Sequence, residues 1–264
     1  MVRITCLVEN TAGCPGIQAE HGLSLYLETD HHHILFDAGQ SGAFADNAEQ
    51  LGIDLSQVDL VILSHGHYDH GGGLSRFLAI NDKAPIYLSR YAFEAHHNAT
   101  DAYIGLDSAL QSSNRLVFVD GNMALGKGLP HCSCNERSRP YPADPFGLTV
   151  AEDGVLVPDD FRHEQYLLIE EAEKTILISG CSHKGILNIV DWFRPDVLIG
   201  GFHFMKLDPA GSGAAVLEAA AQQLLQYPTC YYTGHCTGEA QFQFLKGRMG
   251  DRLQGLSTGC CLTL

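Results

Sequence analysis

The feature that most constrains this chain is the stretch Leu60-Val61-Ile62-Leu63-Ser64-His65-Gly66-His67-Tyr68-Asp69-His70-Gly71-Gly72-Gly73. Its apolar, β-branched start reads as a short buried strand. A strand that ends in ligand-type side chains delivers them to one rim of a sheet, where sites on open α/β sheets form. His65 and His67 are two residues apart and point the same way in extended backbone. Asp69 and His70 fall after the chain has begun to turn and can face a second point. The glycines permit a tight turn into a helix predicted over Leu74 to Ile80. Two imidazoles with a separate Asp/His pair suit two adjacent metal ions, with nitrogen and carboxylate ligands of the kind zinc accepts.

Other strand ends repeat the pattern. Thr175 to Ser179 runs into Gly180-Cys181-Ser182-His183-Lys184-Gly185, Val197-Leu198-Ile199 into Gly201-Phe202-His203, and Cys230-Tyr231-Tyr232 into Thr233-Gly234-His235-Cys236. Strands and helices alternate after an N-terminal β run, with helices predicted over 43–51, 90–97, 214–227 and 239–249. In the third of these Val216, Leu217, Ala220 and Leu224 are expected to face inward. A hairpin is predicted around Glu171 to Lys174, and the adjacent histidines His31 to His33 read as a solvated turn. Residues 98–162 form a loop-rich insertion, a common form for a lid or specificity segment. Within it His131, Cys132 and Cys134 lack a suitably spaced fourth ligand for a structural zinc. No linker is evident, so one domain over residues 1–264 is expected.

The string His65-x-His67-x-Asp69-His70 after an apolar strand resembles the metal motif of the metallo-β-lactamase superfamily. With Tyr68, the glycines, Glu20-His21-Gly22-Leu23-Ser24 and Tyr103-Ile104-Gly105-Leu106 it is similar to a branch resembling dihydropterin–ribofuranosylaminobenzene-phosphate synthases. The resemblance implies a four-layer αββα sandwich with the site at a shared edge of two sheets. It implies metal ligation by His65, His67, Asp69, His70, His183 and His235, and a supporting role for Asp37 beneath the metal loop. A bridging aspartate is the usual residue where Cys181 stands, which leaves Cys181 either a thiolate ligand or a buried small residue. His163 lies near the place of the superfamily's middle histidine but lacks its glycine turn, so the third ligand falls to His183. Asp69 and His203 are the catalytic candidates, and His203, Lys184 and Tyr103 the substrate-binding ones, Lys184 as a phosphate contact. His21 either approaches the metal site or a substrate or is a turn residue, the last being the preferred reading.

The implied function is a metal-dependent hydrolase or transferase acting on a small phosphorylated or heterocyclic substrate, with one or two zinc ions and iron or manganese as alternatives. Hydrolysis of a phosphoester, lactone or thioester, or iron redox chemistry on the same fold, are the competing readings. The formal net charge of −15 and the lack of a basic cluster argue against nucleic acid. A small anion remains compatible, because a metal pair reverses the local field. Nine scattered cysteines without a leader-like start suggest reduced thiols in a cytoplasm, and no apolar run approaches a membrane span.

Overall fold

A computed structural model describes residues 1–171 and 173–264. Two seven-stranded sheets dominate it. In the first the order is Cys261–Thr263, Arg3–Val8, Ser24–Glu28, His33–Phe36, Leu60–Ile62, Ile86–Ser89, Leu116–Val119. In the second it is Leu253–Gly255, Cys230–Thr233, Val197–Ile199, Lys174–Ile178, Tyr166–Glu171, Pro130–Cys132, Met123–Ala124. Each sheet is antiparallel on one side and parallel on the other. The inner parallel strands Leu60–Ile62 and Val197–Ile199 are short, apolar and buried on both faces, as strands covered on both sides must be.

The core has three layers of apolar contact. Leu25, Leu27, Ile34, Phe36 and Ile62 meet Leu167, Ile169, Ile176 and Ile199 between the sheets. Phe44, Leu74 and Phe77 cover the outer face of the first sheet from the helices Ala43–Gln50 and Leu74–Ile80. Ile189, Leu217, Leu224 and Leu245 cover the second from the helices Ile186–Phe193, Ala214–Leu224 and Glu239–Met249. This is the αββα order expected from the resemblance. No helix among the described residues is long and apolar enough to cross a membrane.

Three local expectations fail. The segment 90–97 is not a helix: it turns after Ser89, and His96–His97 pairs with Thr149–Val150 in a small third sheet with Val155–Pro158. The insertion 98–162 is less loop-rich than its sequence suggests, since it supplies one strand to the first sheet, two to the second and a hairpin to the third. Val216 does not face the core and is 51% exposed, while Leu217, Ala220, Ala221 and Leu224 pack inward. The predicted hairpin joins Tyr166–Glu171 to Lys174–Ile178; Ala172 in its turn lies outside the described residues.

Candidate metal centre and its cavity

The strand Leu60–Ile62 lies inside the first sheet, between His33–Phe36 and Ile86–Ser89, so its end is held on both sides. Beyond it, Gly66 passes so close to the neighbouring loop that a Cβ would lie 2.1 Å from the Ala92 carbonyl oxygen. Only glycine fits there, which explains the residue between the two histidines. Gly180 does the same from the second sheet: its φ is +58°, and a Cβ would meet Ser64 Oγ at 2.5 Å. The two sheets thereby bring the motif of residues 65–70 against the loop of residues 180–185.

Two groups of donor atoms result. His65, His67 and His183 converge in one, with His65 Nε2 and His183 Nε2 3.3 Å apart. In the other, His70 Nε2 lies 3.2 Å from His235 Nε2, and Asp69 Oδ2 lies 3.2 Å from His235 Nε2. Cys181 Sγ, 3.1 Å from His70 Nε2, also groups with His65, so the sulfur stands between the two positions. All seven residues are buried.

The hydrogen-bond network identifies what these nitrogens carry. Ser64 donates its backbone N–H and its hydroxyl to Asp37 Oδ1 and Oδ2, each at 2.7 Å. With that hydroxyl proton committed, the 2.8 Å contact between Ser64 Oγ and His65 Nδ1 requires His65 Nδ1 to donate. His70 Nδ1 donates to Asp37 Oδ2 at 2.7 Å, and His235 Nδ1 to Asn10 Oδ1 at 3.0 Å. Each of these rings, while neutral, therefore presents an Nε2 lone pair to the centre, a tautomer assigned from the network. The His70 and His235 lone pairs, facing one another at 3.2 Å, repel unless a cation lies between them, so the donor set fits divalent metal. Asp37 thus sits where the expected support should be, beneath both groups at once.

Charge follows burial. Desolvation, with the neighbouring His70 and His67, holds His65 well below the usual imidazole range. Desolvation likewise depresses His67 and His183. Burial opposes ionisation of Asp69, but His70, His21 and His235 around it outweigh that and keep its carboxyl far below the usual range. Burial pushes the Cys181 thiol well up, and a cation against it acts in the opposite sense.

The loop of residues 161–165, in which the sequence singled out only His163, braces the centre. Phe161 stacks on His183 at 4.6 Å, His163 Nδ1 accepts the Gly66 N–H at 2.8 Å, and Gln165 N–H donates to the Ser64 carbonyl at 2.7 Å. Glu164, fully buried, accepts the backbone N–H groups of His183 (2.6 Å) and Lys184 (3.0 Å) and the Tyr166 hydroxyl (2.7 Å). Behind them Asp159 accepts from His96 Nδ1 at 2.8 Å, and His163 Nε2 lies 3.5 Å from the same oxygen. His67, His96, Asp159 and His163 form a further buried polar group; because His163 Nδ1 is an acceptor, its proton is on Nε2, facing the carboxylate. On the other side, Glu9 accepts from His235 N–H at 2.5 Å, and His21 Nε2 reaches Asp69 Oδ2 at 3.3 Å. His21 is thus part of the site rather than a plain turn residue. The signals were faint: an acidic residue at the end of the first strand, and His163-Glu164-Gln165 just ahead of an apolar strand.

Two expectations for substrate contacts need correction. Lys184 is fully buried and donates to Ser133 O (2.6 Å), Asn135 Oδ1 (2.7 Å) and Glu164 O (2.8 Å). All three of its protons are used and burial lowers its pKa to about 8, so it ties the insertion to the brace and meets no phosphate. Tyr103 is 53% exposed, its hydroxyl donates to Leu106 O, and it lies outside the cavity beside the centre. Among the described residues, His131, Cys132 and Cys134 form no metal-type group.

His203 lies where expected. Its ring is 4.3 Å from that of His183, neither ring nitrogen has a hydrogen-bond partner, and its φ is +56°. Asp37, Ser182 and His235 also hold left-handed backbone. His183 and His203 form the inner end of a cavity of about 670 Å³.

The family profile described as Metallo-beta-lactamase superfamily matches residues 18–199. The chain is 29% identical over 276 residues to the 7,8-dihydropterin-6-methyl-4-(beta-D-ribofuranosyl)-aminobenzene-5'-phosphate synthase of Methanocaldococcus jannaschii, covering 93% of this chain and 91% of that protein. It is 25% identical over 214 residues to an anaerobic nitric oxide reductase flavorubredoxin of Aeromonas hydrophila, covering 76% of this chain but only 41% of that protein. Among solved structures, a metal-dependent hydrolase of the beta-lactamase superfamily superposes with a TM-score of 0.81 at 28% identity, covering 100% of this chain and 99% of that one.

Proposed function

We propose that this chain, which belongs to the metallo-beta-lactamase superfamily, is a divalent-metal-dependent enzyme that transforms a small anionic molecule at a phosphoryl or carbonyl centre. The observation that carries the reading is the convergence of Nε2 atoms, His65 with His183 and His70 with His235, where His183 also forms the inner end of a cavity that admits a small molecule. The ligand set we assign is His65, His67 and His183 at one position and Asp69, His70 and His235 at the other, with the Cys181 thiolate between them. When bound, divalent ions supply Lewis-acid polarisation of the reacting oxygen and activation of water. Zinc suits this nitrogen, oxygen and sulfur set, with iron or manganese as alternatives.

The chain's own residues do the rest. Asp69 keeps an ionised carboxylate that can accept a hydrogen bond from the attacking water. His203, whose ring lies 4.3 Å from that of His183 and lines the cavity, can donate to the developing charge or the leaving group. Asp37, Glu164 and Glu9 hold three ligand loops in place. A phosphorylated or heterocyclic substrate is favoured by the similarity to the synthase. The acidic surface favours a small molecule over nucleic acid, and the free cysteines favour a cytoplasmic setting.

Metal analysis of protein purified without added metal, followed by a screen of phosphodiesters, lactones, thioesters and pterin–ribose phosphates, tests this. One or two equivalents of metal and turnover abolished by chelation are expected. Stoichiometric metal-free protein that is active after chelator treatment would overturn it. The similarity to flavorubredoxins supports a second reading, iron redox chemistry. Two equivalents of iron with visible absorbance, and no hydrolytic turnover, would favour that one.

A further inference from the structure

The cavity beside the candidate metal centre has a chemistry of its own. One wall is the segment 141–146, with Tyr141 and Phe146; the others come from Phe202 and Phe204 and from the helix Ala214–Leu224, with Val216 and Ala219. No lysine or arginine is among the described residues lining it, and Asp144 is its one carboxylate. The wall is built rather than draped. Asn188 is fully buried and spans both backbone groups of Tyr141, accepting from its N–H at 2.9 Å and donating to its carbonyl at 2.7 Å. Gln223 donates to the Tyr141 hydroxyl at 2.8 Å, tying the segment to the helix opposite. Val216 is half exposed although apolar, because the surface it lines is this concavity and not the core.

His203 marks the junction. Its ring packs against His183 on the metal side and edge-on to Phe146 at 5.4 Å on the cavity side, so a ligand lying across both would pass over it. The volume of about 670 Å³ far exceeds what a bare phosphate or carboxylate needs and is in the range of small-molecule sites. An anionic tail would meet apolar walls and the like charge of Asp144, with no lysine or arginine among the described lining residues to offset it, and a cationic one would find only that single carboxylate.

We propose that this cavity is the subsite for an uncharged aromatic ring of the substrate, whose anionic or carbonyl group lies at the metal centre with His203 between the two. The proposal rests on the metal-centre reading above for where the reacting group sits. Flat ring systems gain most from such walls, since aromatic side chains offer edge-to-face contacts beyond the area they bury.

The test is calorimetric titration of metal-loaded protein with methylphosphonate, 2-naphthylphosphonate and the neutral 2-naphthylmethanol. Naphthylphosphonate should bind at least about 30-fold more tightly than methylphosphonate, as expected for burying a ring of that size. In Ala219→Trp, which fills the cavity from an exposed helix position, the ratio of the two affinities should fall toward one while metal content stays stoichiometric. Val216→Asp, also at an exposed position, should lower the ratio independently should the first variant fold poorly. Equal affinity for the two phosphonates in wild type, or a ratio unchanged in both variants, would overturn the aromatic subsite and leave the metal reading standing. Failure of both phosphonates, with naphthylmethanol still bound and displaced by Ala219→Trp, would overturn the anion reading and uphold the subsite. Failure of all three ligands would overturn both.

Discussion

Asp37→Asn tests the central argument about proton placement with almost no change in shape. Asp37 is fully buried and receives three donors: Ser64 N–H at Oδ1, and the Ser64 hydroxyl and His70 Nδ1–H at Oδ2. The Ser64 N–H cannot change its role, so the asparagine carbonyl must take the Oδ1 place and the amide NH₂ the Oδ2 place. That NH₂ donates where the carboxylate accepted. His70 must then accept on Nδ1, which moves its proton to Nε2, toward the metal position. Ser64 Oγ accepts from the amide and donates to His65 Nδ1, which moves the His65 proton to Nε2 as well. One substitution thus removes a ligand lone pair from each position. Loss of partners that hold metal-ligating histidines costs about 10–100-fold in affinity, or roughly 1.4–2.7 kcal/mol per position. The assay is competition for zinc with a chromophoric chelator, with nitrogen-15 spectra of the metal-free protein to read the tautomers. The apo variant should keep its cooperative unfolding transition. Affinities within twofold of wild type, or unchanged His65 and His70 tautomers, would refute the reasoning.

His67→Ala should abolish metal binding at the first position and activity while far-ultraviolet circular dichroism stays native, since the core is made by apolar strands and helices elsewhere; a lost unfolding transition in the metal-free variant would instead make the metal structural. His203→Ala should lower kcat about 10²-fold or more, as expected for a removed general acid, with metal content unchanged by elemental analysis; unchanged kinetics on the best substrate would exclude the role. Lys184→Met should leave KM for an anionic substrate unaltered but destabilise the fold by roughly 2–4 kcal/mol in urea unfolding, because the acceptors on Ser133, Asn135 and Glu164 lose their donor. His131 is fully buried without a partner, and burial lowers its pKa to about 4 from an ordinary 6.5. The folded state therefore binds fewer protons than the unfolded one between pH 6.5 and 4, so stability falls as pH drops through that window, by about 3 kcal/mol for this group. His131→Leu should flatten that part of the stability–pH curve, and an unchanged slope would count against it.

What could be read from the sequence was whatever is local. The run from Leu60 to Gly73 announces a buried strand, two ligand directions and a turn within fourteen residues, and the helix Leu74–Ile80 follows at its expected bounds. The strand ends at His183, His203 and His235 were legible for the same reason: each is an apolar run breaking into glycine and imidazole. The segment 90–97 misled because it holds helix-forming Ala92, Glu94 and Ala95 and no glycine or proline to break a helix. Its conformation is decided elsewhere, by the close approach of the Ala92 carbonyl to Gly66 and by pairing of His96 with Val150. Val216 misled because a helix facing a cavity carries apolar residues on two sides, one for the core and one for the concavity.

The bracing roles escaped for a deeper reason. Glu9, Glu164 and His163 act through backbone N–H groups of His235, His183 and Gly66, which lie 226, 19 and 97 residues away along the chain. No periodicity or spacing rule links a carboxylate to an amide that far off, and charge at those positions reads as surface until the fold buries it. Lys184 shows the same effect in reverse: its position after a ligand histidine suggests an anion contact, yet the fold turns it away from the centre and gives it three acceptors behind Glu164. Ligand identity is therefore written in short motifs, while ligand aim is set by buried acids supplied from distant strands. That division makes Glu164→Gln informative beside Asp37→Asn. The Glu164 oxygens hold the loop through the backbone N–H groups of His183 and Lys184, not through an imidazole nitrogen, so an amide in their place disturbs where His183 sits without reassigning its proton. Weakened metal binding with unchanged tautomers is the outcome expected of it, and a His183 tautomer shift in Glu164→Gln would show that aim and proton placement are not separable here.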